Sequence, residues 1–150
     1  MTEDEKWMHI AIKEAFKAEE QNEVPVGAVL VRNGLLIAKA HNQPISKNDA
    51  TAHAEIEVVR KAGKKLNNYR LPNTSLYVTL EPCSMCLGAI IHARVSRVIF
   101  GASDSKMGAF VSSIDLSSEL CFNHKIVVDG GILAKDCQNI LQSFFKSRRK

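Results

Sequence analysis

Apolar residues along the 150-residue chain fall into helical and strand-like rhythms that alternate. Trp7, Ile10, Ala11, Ala15 and Ala18 recur three and four residues apart, so the first twenty residues predict an amphipathic helix. Residues 26–31 and 35–40 read as strands around Arg32-Asn33-Gly34, where Asn-Gly supplies the positive φ angles of a tight hairpin turn. From about residue 52 to 66 the pattern returns to helix, with Ala54, Val58 and Ala62 stacked four apart. Residues 75–80 (S-L-Y-V-T-L) predict a buried strand. Pro82 then suits the first position of a helix reaching about Ala93, because a missing N–H costs nothing there. Short strands follow at 98–101 and 126–128, and a closing helix gathers Leu133, Cys137, Ile140, Leu141 and Phe144 on one face.

Helix, hairpin, helix, strand, helix, strand, strand, helix is the order of an α/β fold. It predicts a three-layer α/β/α sandwich around a mixed sheet of about five strands. Residues 67–73 and 102–123 are the long connections; the second is long enough to suggest a functional loop or short helices. There is no repeat and no linker, so residues 1–150 read as one domain.

Composition narrows the class without naming it. Hydrophobic residues make up 45% of the chain and charged residues 24%, as in an average soluble domain. The net charge of +4 conceals an asymmetry: residues 1–23 carry seven acids and three bases, and the remainder carries seventeen bases and nine acids. Arg60, Lys61, Lys64, Lys65 and Arg70 form one basic cluster, and Lys146, Arg148, Arg149 and Lys150 another. By charge alone these are solvated faces; the alternative is a surface that docks phosphates. The acidic start does not resemble a signal peptide, and no apolar run approaches a membrane span, which predicts a cytoplasmic protein with no membrane partner.

Four cysteines in such a chain point to metal or redox chemistry before a disulfide framework. Pro82-Cys83-Ser84-Met85-Cys86 directly follows a predicted strand. Cysteines three apart share a helix face, and a helix N-terminus favours their thiolates. A structural zinc site, a thioredoxin-like redox pair and a catalytic zinc with three protein ligands all remain open. Cys121 and Cys137 lie 16 apart, unlike a second zinc pair, and Cys137 occupies a core position. The third ligand of a catalytic site has a candidate in His53-Ala54-Glu55, at the start of a predicted helix. In a first turn the longer Glu55 side chain can bend toward an ion held by His53.

His53-x-Glu55 with Pro82-Cys83-x-x-Cys86 resembles the signature of the zinc-dependent nucleoside and nucleobase deaminases. Within them the chain is most similar to the bacterial branch that deaminates adenosine at the wobble position of tRNA anticodons. That similarity rests on Glu23-Val24-Pro25-Val26-Gly27-Ala28, His41-Asn42, Thr51-Ala52-His53-Ala54-Glu55, and Leu76-Tyr77-Val78-Thr79-Leu80-Glu81-Pro82-Cys83. Phe100-Gly101-Ala102, Asp104-x-Lys106-x-Gly108-Ala109, Asn123-His124 and Phe144-Phe145 extend it almost to the C-terminus.

The resemblance implies a cytidine-deaminase-like fold and a homodimer, with one Zn²⁺ per subunit held by His53, Cys83 and Cys86. Glu55 is then the catalytic proton shuttle and not a ligand. It further implies substrate contacts at Asn42, which reads the purine, at the Ala54 backbone, at Asp104 and Lys106, and at Asn123 and Phe145 on the RNA side. Each contact has a plainer alternative: Asn42 ending a strand, Asp104 closing a turn, Asn123 capping a loop, Phe145 in the core. The chain departs from the family where Val111-Ser112 stands in place of a usual Gly-Ser pair, which affects the substrate loop more than the zinc site. The implied reaction is hydrolysis of adenosine to inosine in a tRNA anticodon stem-loop, whose loop base is unstacked at low cost. The alternative is a free-base or nucleotide deaminase, acting on guanine or cytosine with the same zinc site. A noncatalytic zinc or redox module that binds RNA is the rival outside the enzymes. On the tRNA reading, the C-terminal basic cluster becomes a candidate backbone contact.

Overall fold

The computed structural model describes residues 1–110 and 124–148. Helix α1 spans Glu3–Glu20, and it starts at a capping box in which Thr2 and Glu5 satisfy one another's backbone N–H groups. Strands β1 (Gly27–Arg32) and β2 (Leu35–His41) form the expected hairpin, with Asn33 at φ 53° and Gly34 at φ 72°. A one-turn helix, α2 (Pro44–Lys47), follows. Then come α3 (Ala54–Leu66), β3 (Ser75–Leu80), α4 (Ser84–His92), β4 (Arg97–Ala102), β5 (Val127–Asp129) and α5 (Ala134–Arg148).

The five strands make one mixed sheet in the order β2-β1-β3-β4-β5. β1 runs antiparallel to both β2 and β3, whereas β3, β4 and β5 run parallel. Alternation along each strand sends its side chains to two cores. Ala28, Leu30, Leu76, Val78, Val98 and Phe100 face the layer of α3 and α4. Val29, Val31, Tyr77 and Ile99 face α1 and α5, against Trp7, Met8, Ile12 and Ile140. The α/β/α sandwich read from the sequence is therefore present.

Two boundaries differ from the sequence expectation. The helix expected from residue 52 starts at Ala54, with His53 as its N-cap, and the helix expected from Pro82 starts at Ser84, with Cys83 as its N-cap. Both candidate ligands thus sit in extended backbone at a helix threshold. Gly27 pairs with His41, and Ala28 with Val78, so the start of β1 lies beside the ends of β2 and β3. β4 ends beside β3, where Leu80 pairs with Ala102. One edge of the sheet thereby gathers the connections 42–53, 81–83 and 103–110.

Candidate functional site

That edge brings together the two motifs that lie thirty residues apart in sequence. His53 Nδ1 stands 3.8 Å from Cys83 Sγ and 3.5 Å from Cys86 Sγ. All three donor atoms lie within 4.8 Å of one another, and no other such group is found among the described residues. A tetrahedral zinc with Zn–S of about 2.3 Å and Zn–N of about 2.0–2.1 Å sets nitrogen and sulfur roughly 3.6 Å apart. The three residues fit that ion. One nitrogen and two sulfurs are also the donor count of a site with an open fourth position, and a cavity borders this one.

Protons are shared unevenly among the three donors, and Cys83 alone is held toward the form that binds metal. Cys83 is held down to about 4, first by its hydrogen bond with Cys86, with His53 adding to the effect. Cys86 is pushed up by the same contact and by its burial. The hydrogen bond to Cys83 raises His53. Glu55, only 5% exposed, is pushed up to about 7, chiefly by desolvation, and its carboxyl also meets the Cys86 thiol. A carboxyl near neutrality can take a proton and give it back. His53 and Glu55, two apart at the start of α3, both line one cavity.

The cavity has a volume of about 290 Å³. His53, Glu55 and Cys83 line it together with apolar Val24, Val26 and Leu80, and Pro44 and Met107 line it from two separate connections. Asn42 also lines it, with its Oδ1 accepting from the Ala54 N–H at 2.7 Å. That bond satisfies a first-turn donor of α3 and leaves the Asn42 amide N–H groups as its other polar end. Ala54 is buried, and its backbone N–H is the donor to Asn42.

The remaining expected contacts are less closely gathered. Asp104 lines the cavity, but its Oδ1 accepts from the N–H groups of Lys106 and Met107 at 3.1 Å each, closing its own turn. Lys106 is exposed and does not line the cavity. Phe145 is 46% exposed on α5, edge-on to Phe144 with ring centroids 5.5 Å apart, and does not line it either. Asn123 lies outside the described residues, as do Val111, Cys121 and Arg149. The sequence reading passed over Pro44, Met107 and two buried acids, Glu23 and Glu81, beside the site. The partners of those acids lie more than twenty residues away, so no local spacing marks them.

The larger hollow, about 610 Å³, lies instead on the solvent side of α3, lined by Arg60, Lys64, Asn67 and Tyr69 among others, and has no such cluster of metal ligands. Its basic cluster is partly neutralised: Arg60 pairs with Asp49 at 3.4 Å and Glu57 at 3.2 Å, and Lys47 pairs with Glu57. No helix among the described residues is long and apolar enough to cross a membrane.

Comparison with known proteins agrees with this geometry. Residues 2–149 match the MafB19-like deaminase family. The chain is 49% identical over 150 residues to the tRNA-specific adenosine deaminase of Bacillus subtilis (strain 168), spanning 100% of this chain and 93% of that one. A solved structure from studies of A-to-I editing by tRNA:A34 deaminases at the wobble position of transfer RNA superposes with a TM-score of 0.89. It is 45% identical and covers 91% of this chain and 99% of its own. Guanine deaminase from Bacillus subtilis is similar over a shorter stretch, at 40% identity, 66% and 64% coverage and a TM-score of 0.63.

Proposed function

The chain belongs to the MafB19-like deaminase family, and we propose that it converts adenosine to inosine at the wobble position of tRNA anticodons. The observation that carries this reading is the convergence of His53, Cys83 and Cys86 beside buried Glu55, in a chain similar along its whole length to a tRNA-specific adenosine deaminase. His53, Cys83 and Cys86 would hold one Zn²⁺ per subunit, and the ion supplies the Lewis acidity that brings the pKa of a water from 15.7 toward about 7.

Glu55 does the proton work. It takes a proton from the attacking water and passes it to adenine N1 as the hydroxyl adds to C6. It then moves the hydroxyl proton to the departing amine, so ammonia leaves and inosine keeps the oxygen. Asn42, anchored through Oδ1, offers its amide N–H to a purine ring acceptor. At about 290 Å³ the cavity lies at the low end of ligand sites, and Glu55, which the base has to reach in it, is only 5% exposed. The base therefore has to leave its stack to be read. Asp104 shapes the loop around it, whereas Lys106, Asn123 and Phe145 are assigned to the flanking RNA. The working unit is a cytoplasmic homodimer of one-domain subunits, and light scattering should return twice the 16.6 kDa chain mass.

Incubation with bulk tRNA followed by inosine detection tests the activity. Glu55→Ala should keep its zinc and lose about 10²–10⁴-fold in turnover. Deamination of guanine or cytosine in a protein inert toward tRNA would establish the free-base reading, which the similarity to guanine deaminase over two-thirds of the chain favours. Absence of zinc, or of ammonia release from any base, would point to the noncatalytic module.

A further inference from the structure

Two glutamates beside the cavity are buried as deeply as core leucines: Glu23 is 1% exposed and Glu81 is 2%. An ionised carboxylate is far costlier to bury than an apolar side chain unless hydrogen bonds satisfy it. Among the donors here are backbone N–H groups of the two connections that carry Pro44 and Met107, both of which line the cavity. Glu23 Oε1 accepts from the N–H of Ile45 at 3.1 Å, and its Oε2 from the N–H of Ser46 at 2.8 Å. Glu81 Oε1 accepts from the N–H of Asp104 at 3.1 Å, and its Oε2 from the N–H of Phe110 at 3.1 Å.

The first pair holds the turn that begins at Pro44; the second pins both ends of the turn that carries Met107. Between the Glu81 contacts that turn closes on itself through the Gly108 N–H to the Asp104 carbonyl at 2.9 Å, and the Ala109 N–H ties it to the Pro82 carbonyl of the neighbouring connection at 2.9 Å. The approach of loop to acid is close. A Cβ on Gly108 would fall 2.4 Å from Glu81 Cδ and 2.5 Å from the Asp104 carbonyl oxygen.

We propose that Glu23 and Glu81 are a matched pair of positioning residues that hold the Pro44 and Met107 lips of the cavity in the conformation that admits a single nucleobase. The proposal rests on the tRNA deaminase reading for its substrate. Neither acid touches the reacting atoms; each acts through a loop. When a lip is competent for only a fraction of the time, apparent affinity falls by that fraction while the chemistry of bound substrate is unchanged. The signature is a raised KM at nearly constant kcat.

Glutamine is a sharp probe, because its amide has one acceptor oxygen and turns an NH₂ group toward one of the two backbone N–H donors. Glu23→Gln, Glu81→Gln and Gly108→Ala, each in the full-length zinc-loaded protein, are compared with the parent by amide hydrogen exchange, by zinc per chain, and by kinetics on an anticodon stem-loop. Expected are faster exchange in residues 104–110 for Glu81→Gln and in 45–47 for Glu23→Gln, unchanged zinc, and KM raised roughly tenfold with kcat within about twofold. Where Glu81→Gln fails to fold, Gly108→Ala displaces the same lip with the carboxylate intact and should show the same kinetic split. Unaltered exchange in the lips, zinc lost in step with activity, or kcat falling at constant KM would each overturn the proposal. Inactivity of the parent on the stem-loop would remove the tRNA reading itself, and the exchange arm would still decide whether these carboxylates hold the lips.

Discussion

Replacement of Gly27 by alanine tests how closely α1 is laid on the sheet beneath the site. A Cβ at Gly27 would stand 1.9 Å from the carbonyl oxygen of Ala11, 2.6 Å from the backbone nitrogen of Ala15 and 2.8 Å from Glu14 Cβ. Contacts under 3.0 Å are essentially never adopted by real Cβ atoms, so α1 has to lift by about 1.1 Å at its closest point. Two of the three obstructing atoms are backbone, and no rotamer change relieves them. Lifting α1 loosens Trp7, Met8, Ala11 and Ile12 from the core they share with Val29, Val31 and Tyr77. A radial gap of about 0.5–1 Å already forfeits a quarter to a half of each dispersion contact. Overpacking that side chains can absorb costs about 1–3 kcal/mol, and this one should reach at least the upper end. For a domain of this size, 3 kcal/mol corresponds to a fall in Tm of roughly 6–12 °C. Gly63 is the control, because a Cβ there meets only the Asn68 carbonyl at 3.4 Å, in ordinary contact. Gly63→Ala inside α3 should be neutral or stabilising by up to about 1 kcal/mol. Thermal unfolding followed by circular dichroism reads both variants. A Gly27→Ala protein melting within about 2 °C of the parent would show that α1 is not packed in this way.

Cys83→Ser should lower zinc from about one per chain to a small fraction and reduce Tm with it; full zinc by metal analysis would remove Cys83 from the ligand set. Asp4 takes a bidentate grip from Arg97 at 2.9 and 2.8 Å and a hydrogen bond from Tyr77 at 2.7 Å, and the Arg97 hydrogen bond chiefly holds its carboxyl below the usual range. A lowered carboxylate stabilises the fold above its unfolded pKa and loses that contribution as pH falls through its folded pKa. Asp4→Asn should therefore cost about 1–2 kcal/mol in denaturant unfolding at pH 7, partial exposure tempering the value, and the difference should shrink below roughly pH 4; a pH-independent gap would refute the linkage. At the C-terminus, Arg148 donates to Asn22 Oδ1 at 2.8 Å and stands 4.7 Å above the Phe144 ring, whereas Lys146 is exposed. Lys146→Ala should flatten the salt dependence of tRNA binding by about 0.7–0.9 in log–log slope with Tm unchanged, and Arg148→Ala should cost about 0.5–1 kcal/mol of stability; an unaltered slope would return Lys146 to a solvated face.

The sequence by itself determined the elements and the chemical core of this protein. Apolar periodicity marks α1 and α5, alternation marks β1 to β3, and Asn33-Gly34 marks the hairpin, because each is a local consequence of backbone geometry. His53 with Glu55, and Cys83 with Cys86, stand out because each pair is close in sequence, whereas the fold brings His53 to the two cysteines thirty residues on. Only the tertiary structure decided what surrounds them. The four-residue α2 has no apolar rhythm of its own, and Glu23, more than twenty residues earlier, satisfies two of its N–H groups. Asp104, implied as a substrate contact, lines the cavity and also gives a carboxylate oxygen to its own turn, while its N–H goes to Glu81. Pro44 and Met107 came to face one cavity because β1 runs antiparallel to β2 and β3 while β4 runs parallel to β3, which gathers three connections at one sheet edge. Hydrogen bonds form between groups that the fold makes neighbours, and nothing in residue spacing encodes that proximity for a carboxylate and a loop more than twenty positions apart.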